Sequence, residues 1–532
     1  MTCEGPQLSD KDRLAKLLGP LVRLVDAPAL ALLVAVPCWL VLAILSGRWL
    51  AAALCCWSVV LLAVALWLER PWLDELPFPP VTALTLVGVM RWGLGAALLA
   101  LAGPQVQPDV APWARALEPS QALWALVSTG IVLAALLNRP LLRSLRPGRL
   151  GAIVRRRLPM LTLLLGLFSL GYVLVGVISG TLDRSGGNYV YWVTRLWRAD
   201  TAFVPFIRLK DLFFLLVPIT VQIALQPEPN GAPSRLRWLA PMLLALASAS
   251  LGLGAFTGGR GLLLAPLVLL IAGLWMTDIR ASLLRWLAVG VLIVALVFIP
   301  LMATLRQTTA FQNSSIQHLD QRAGLIARAA AEAHPSHDKL ALIGRDLFPS
   351  SDPYLFQPPG SQQPAAGWRG LDGLLFLWIP KHLYPQRPEI NDGHLIAKEI
   401  MGTPEMGTVG GIHIWFPNVS FGGDLYRRFR WPGVILGSTV FGLFYALVSR
   451  IWYRVASLSH GFYRFLIAIY PATFFNGVPL RSVSETVWNW FWDFPKYLLV
   501  LLALGWLVER LYRLLPPPSQ AAHTSVVVKP DS

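Results

Sequence analysis

The stretch WLAAALCCWSVVLLAVALWL, residues 49–68, runs for twenty positions without a charged side chain. An α-helix rises about 1.5 Å per residue, so this length crosses a hydrocarbon core of about 30 Å with its backbone bonds made inside the segment. It reads as a transmembrane helix, and similar runs recur along the chain. Of the 532 residues, 55% are apolar and only 14% are charged. Twelve spans are expected, near residues 28–46, 49–68, 81–102, 121–138, 158–180, 211–226, 238–256, 262–277, 286–304, 433–448, 465–480 and 497–514. The fold class is all-α, a polytopic membrane helical bundle of about twelve transmembrane helices with one large late loop. Five parts follow: an amphipathic N-terminal segment (1–27), spans one to nine (28–304), the large loop (305–432), spans ten to twelve (433–514) and a tail read as disordered (515–532).

The formal charge of +16 would suggest nucleic acid in a soluble protein, but here the cations sort to one side, and nucleic acid is not expected as a partner. With the N-terminus inside, the cytoplasmic segments and the last turns of the final span hold 22 Lys or Arg, including Arg139, Arg143, Arg146, Arg149, Arg155, Arg156 and Arg157. The short outer loops hold five: Arg48, Arg115, Arg260, Arg481 and Lys496. Both termini are therefore expected in the cytoplasm. Two longer outer segments carry more charge, residues 181–210 with five cations and 305–432 with twelve. Long loops cross regardless of charge, so these cations call for a ligand.

No cleaved leader is expected, because residues 1–27 are too polar; Leu14, Leu17, Leu18, Leu21 and Val25 form one face of a helix suited to the inner leaflet. The four cysteines, Cys3, Cys38, Cys55 and Cys56, avoid the outer loops, which excludes an outer disulfide framework or thiol nucleophile.

Polar chemistry concentrates in 305–432, which holds six of the eight histidines. Residues 314–334 have helical apolar spacing and are expected to lie against the bundle, with His318, His334 and His337 at a solvated helix end. PPGSQQP (358–364) reads as a flexible connector, and GLDGLLFLWIP (370–380) as an apolar stretch too short to span, re-entrant or interfacial, that brings the next motif to the membrane surface. It leads into WIPKHLYPQRPEINDGH, Trp378 to His394. Prolines 380, 385 and 388 enforce extended or turn backbone and fix the directions of Lys381, His382 and Arg387. A stiff cationic loop at headgroup level suits a phosphate, which Arg grips through paired, charge-assisted bonds. Plain contact with leaflet phosphates is the ordinary alternative.

Three further groups matter. HIWFPNVSFGGDLYRRFRWPGVILG (413–437) places His413 and Asp424 ahead of Arg427, Arg428 and Arg430; it suits ligand positioning or a base, or else a helix-entry motif with snorkelling arginines. TGGRG (257–261) is a tight outer turn projecting Arg260 where few groups compete for it, or else a plain hairpin turn with a lipid-phosphate contact. NYVYWVTRLWR (188–198) interleaves aromatics with Arg195 and Arg198, either an interfacial belt or a sugar-stacking surface. Arg91 falls within the third span and should face a partner or a wet cavity.

TGGRG, IPKHLYPQRP and GDLYRRFRWPG together resemble motifs of the Wzy-type O-antigen polymerases, the oligosaccharide repeat-unit polymerase family. That family has a G-S-R-G-like turn between two middle spans, a basic motif I-P-R-x-L-W-P-x-K-P in a large late periplasmic loop, and an exit like G-E-x-Y-x-N-F-G-x-x-G. The resemblance covers about residues 238–450. Lys381 stands for the family's Arg, Arg387 for its Lys and Asp424 for its Glu, each keeping its charge sign.

The resemblance implies a glycosyltransferase of the bacterial cytoplasmic membrane that joins polyprenyl-pyrophosphate-linked oligosaccharide repeats at the periplasmic face, alongside a flippase and a chain-length regulator. On that reading Arg260, Lys381 and Arg387 hold the pyrophosphate. His394, His413 or Asp424 accepts the acceptor's proton, and Arg195 and Arg198 hold the glycan or second lipid. No cofactor and no metal are expected, since no His, Cys, Asp or Glu cluster has ligand spacing. The nearest rival is an O-antigen ligase, which shares donor and basic loop. A glycolipid transporter or flippase would show paired half-repeats and midplane charge, and no internal repeat is evident.

Overall fold

The computed structural model describes residues 36–73, 88–102, 111–144, 152–178, 209–226, 236–256, 319–331, 351–376, 419–458 and 481–514, with short stretches or single positions between 266 and 466. These residues are mostly helical. The elements that carry the architecture are α1 (Trp49–Leu73), α2 (Leu117–Ser144), α3 (Ala152–Ile178), α4 (Leu239–Phe256), α5 (Leu319–Ala331), α6 (Phe421–Leu458), α7 (Val483–Trp488) and α8 (Phe494–Leu514). Among the described residues five helical stretches are long and apolar enough to cross a membrane: Trp49–Glu69, Leu117–Leu141, Arg157–Ile178, Phe421–Val455 and Val483–Leu514. Shorter apolar helices cover Val36–Leu45, Arg91–Leu101 and Leu239–Leu253. Each overlaps an expected span, and a further helix occupies 209–225. The expected span at 286–304, the N-terminal segment 1–27 and the tail lie outside the described residues.

Lipid tails are as apolar as leucine, so membrane helices associate through close packing and interhelical hydrogen bonds. The contact of α2 with α6 shows both. Gly130 lies so close to α6 that a β-carbon there would come 2.3 Å from the Ser438 carbonyl oxygen, and one on Gly442 would come 2.4 Å from that of Gly130. Two turns further along, Asn138 Nδ2 donates to Ser449 Oγ at 2.8 Å, while Arg450 Nε donates to Asn138 Oδ1 at 3.1 Å. α2 also packs on α1, and Trp124 and Ile131 of α2 share one buried apolar cluster with Leu62, Ala65 and Leu66 of α1. Trp124 stacks on Trp92 with ring centroids 4.0 Å apart.

Three features depart from the sequence expectations. The tenth span is expected to start at 433, but α6 begins at Phe421 and bends at Arg430, whose φ is 58° and ψ −160°. Pro432 has no N–H for the carbonyl of Arg428 and its ring crowds that turn. The carbonyls of Arg427 and Arg428 accept from Ala366 N at 3.1 Å and Gly367 N at 2.9 Å. PPGSQQP is thus no flexible connector: it includes a 3-10 turn at Gly360–Gln362, and Arg430 donates to the Gln363 carbonyl. Finally, 481–496, expected as an outer loop, is helical from Val483 onward. Ser482 Oγ caps α7 by accepting from Glu485 N at 3.3 Å, and a π-turn (Asn489–Asp493) leads into α8 just before Pro495. The expected helix in 314–334 is present as α5, which contacts α4.

Replacing Gly442 with Val forces apart a backbone contact, and overpacking of this kind costs about 1–3 kcal/mol. The variant should melt several degrees lower in detergent. Gly252, where an added methyl would have nothing within 4 Å, serves as the control. Gly252→Ala should match or exceed the parent, since alanine favours helix by about 1 kcal/mol.

Candidate functional site

The first turns of α6 gather the charged chemistry. A helix N-terminus presents unpaired N–H groups that favour a carboxylate. Asp352 supplies one: its Oδ1 accepts from Ser420 N at 2.7 Å, and Ser420 Oγ in turn accepts from Gly423 N at 3.0 Å. A β-carbon on residue 423 would sit 2.0 Å from Asp352 Oδ1, so the second glycine of FGGD admits the capping carboxylate.

One residue on, Asp424 is fully buried. Its Oδ1 accepts from Arg427 Nε at 2.9 Å. Its Oδ2 accepts from Arg428 Nε at 3.1 Å and from the backbone N–H of Val483 at 2.9 Å. Arg427 also reaches Glu399 Oε2 at 2.7 Å, and Glu399 pairs with Arg369. Arg428 Nη1 donates to the carbonyls of Arg369 at 2.6 Å and Gly367 at 3.2 Å. Gln357 Nε2 extends the assembly to the Pro112 carbonyl at 2.7 Å, beside an edge-on contact of Trp113 with Tyr354 at 5.1 Å. The segments around residues 112, 352–369, 399, 424 and 483, all assigned to the same side of the membrane from sequence, therefore meet at one end of the bundle.

This geometry gives Asp424 a positioning role. With both oxygens engaged and no exposed surface, it holds Arg427 and Arg428 rather than a substrate proton, and those arginines spend their donors on protein groups. Of the other expected site residues, His413 lies in a short antiparallel strand pair, opposite Thr408. Arg195, Arg198, Arg260, Lys381, Arg387 and His394 lie outside the described residues. Among the described residues no three or more His, Cys, Asp or Glu are grouped as metal ligands. Asp352, Glu399 and Arg369 escape the sequence reading. Only the run SFGGD (420–424), with its N-cap serine, signals the helix start.

Directly beside this cluster is a cavity of about 640 Å³ between α6 and the 483–491 helix. Trp368 and Leu371 form its outer end with Arg428 and Phe429, and Leu425, Leu436, Val440, Phe441, Phe444, Val487 and Trp490 line its length. Leu436 and Val440 are also exposed, in register with Ile435, Leu443, Leu447 and Ile451 on the outward stripe of α6. The cavity is thus a groove that opens sideways from the bundle. Gly433 to Phe444 covers about 16 Å of helix, roughly half the hydrocarbon thickness.

Comparison with family models, curated proteins and solved structures gives no match.

Removing one partner of a buried ion pair leaves an uncompensated charge and costs about 3–5 kcal/mol. Asp424→Asn should therefore lower folded yield and melting temperature sharply. Glu399→Gln should cost less, because Arg427 retains Asp424; equal losses would show that the two carboxylates do not rank as the geometry has them.

Proposed function

We propose that this chain is a twelve-span glycosyltransferase that polymerises polyprenyl-pyrophosphate-linked oligosaccharide repeats at the periplasmic face of the bacterial cytoplasmic membrane. The observation that carries most weight is the sideways-open apolar groove ending at the ion-paired cluster. A substrate with a long hydrocarbon tail and a strongly anionic head needs both surfaces in contact with each other. The groove suits one hydrocarbon chain entering from the leaflet, and a head leaving its outer end passes Trp368 and Leu371, which precede the cationic motif 378–394 in sequence.

In this reading Arg260, Lys381 and Arg387 grip the pyrophosphate and stabilise the negative charge that develops as the glycosidic bond to it breaks. His394 or His413 accepts the proton of the attacking sugar hydroxyl. Asp424, Arg427 and Arg428 keep the loop exit in place. Arg195 and Arg198 hold the growing glycan or its lipid.

The test is the length distribution of surface and lipid-linked glycans in a deletion strain carrying the wild type, Arg260→Ala or Arg387→Ala. Loss of long chains with accumulation of single lipid-linked repeats supports the polymerase. Long chains stranded on the carrier lipid identify a ligase instead, and an unchanged profile in both variants removes the assignment. A second variant probes the groove: Val440→Trp fills it from the lipid side and should reduce polymer strongly at unchanged protein level.

A further inference from the structure

The outer segment that splints α6 has an unusual surface. Trp368 is 78% exposed, Leu375 79% and Leu383 70%, which places them among the most exposed large apolar side chains of the described residues. Ile379 is exposed as well. A water-facing loop has no use for four such groups within sixteen residues, whereas a membrane interface does.

The first part of this segment, residues 366–371, is held against α6. Ala366 and Gly367 donate to the carbonyls of Arg427 and Arg428, and Arg428 returns two bonds to the carbonyls of Gly367 and Arg369. Trp368 meets Phe429 edge-on at 5.3 Å. Trp368 and Leu371 line the same cavity as Leu436 and Val440, which belong to the outward apolar stripe of α6. The segment is therefore continuous with the surface that faces hydrocarbon, just above the kink. Two cations accompany it: Arg369, with 58% of its side chain exposed, and Arg430, which stacks over Tyr426 at 5.3 Å. Apolar side chains flanked by arginines match the acyl boundary and the phosphates just above it.

We propose that the segment carrying residues 366–376, Ile379 and Leu383 is a membrane-inserted lip. Trp368, Leu375, Ile379 and Leu383 enter the leaflet at the Phe421 end of α6, Arg369 and Arg430 meet lipid phosphates, and the lip roofs the outer end of the groove. The partner is the lipid surface itself. The inference needs only that α6 crosses a membrane; a chain without polymerase activity would fail the glycan test and still pass this one.

The experiment places a polarity-sensitive bimane label at Leu375→Cys, or at Ser361→Cys as the control, in the full chain with Cys3, Cys38, Cys55 and Cys56 changed to Ala. The protein is reconstituted in vesicles of phosphatidylethanolamine and phosphatidylglycerol. Shallow spin-labelled lipid should quench position 375 several-fold more than position 361, and iodide in the buffer the reverse. Equal iodide quenching at the two positions overturns the proposal, and so does a position 375 that neither quencher reaches, because protein would then cover it. The wild type gives a readout without substitution. Photoactivated diazirine lipid should leave adducts on the peptide carrying Trp368, Leu375 and Leu383 and spare 352–362; the opposite pattern overturns the proposal.

Discussion

A single buried carboxylate, that of Asp424, holds together the outer end of this protein. It accepts from two guanidiniums of its own helix and from the backbone of Val483, 59 residues away. Desolvating such charges is expensive, and mutual attraction offsets the cost only when every oxygen and donor is well placed. Here they are: Arg427 divides its donors between Asp424 and Glu399, and Arg428 divides its own between Asp424 and two backbone carbonyls. The outcome is directional. A hydrophobic contact would allow α7 and the 363–369 segment to slide against α6, while a bidentate carboxylate fixes both their distance and their angle.

That fixed arrangement in turn makes the kink in α6 tolerable. Pro432 interrupts α6 and has no N–H to offer the Arg428 carbonyl, and a buried carbonyl short of a donor must find one elsewhere. Ala366 and Gly367 donate to the carbonyls of Arg427 and Arg428 from outside the helix. The positive φ of Arg430 is held by its guanidinium, which reaches the Gln363 carbonyl and the face of Tyr426. Kink, splint and ion-pair hub depend on one another, so the mouth of the groove inherits its shape from all three. Fixed elements place a site more accurately than a loop moving alone.

Five of the expected spans were legible because long uncharged runs have few other solutions, and the kink at Arg430 lies close to the expected start of the tenth span at 433. What escaped was long in sequence and short in space. The Asp352–Ser420 cap joins residues 68 apart, and nothing local to PPGSQQP announces that its neighbours will bond to a helix so far along the chain. The Gly130–Gly442 contact was equally silent, since glycine is frequent in membrane helices and a lone one does not name its partner. The α7 start could have been read. Ser482 and Glu485 have capping-box spacing, but the flanking Arg481 and Lys496 made the stretch look like a loop between spans. In the candidate site the chemistry of Asp424 was legible in kind but not in direction. A carboxylate beside three arginines offers either a ligand grip or a structural hub, and only the burial of Arg427 and Arg428 shows that these two face inward.

The inward turn of Arg427 and Arg428 has a consequence for the rest of the chain's charge. Of the twelve cations in 305–432, Arg427 and Arg428 are consumed in holding the fold, Arg322 is fully buried, Arg430 reaches the Gln363 carbonyl, and Arg369 is partly engaged through Glu399. On the proposed reading, the cations with a claim on an anionic ligand are then Lys381, Arg387 and Arg260. This division of labour is physically sensible. An arginine that must release a pyrophosphate product at each turnover makes a poor structural pin, because its departure from the ligand would loosen the scaffold. On that reading, giving the structural and the ligand-binding roles to different cations lets the groove and its mouth stay rigid while charge on a lipid head changes. The apolar groove meets the cluster at Arg428 and Val483; on the proposed reading, a guanidinium already neutralised by Asp424 lets a hydrocarbon chain pass without drawing an anionic head down into the bundle.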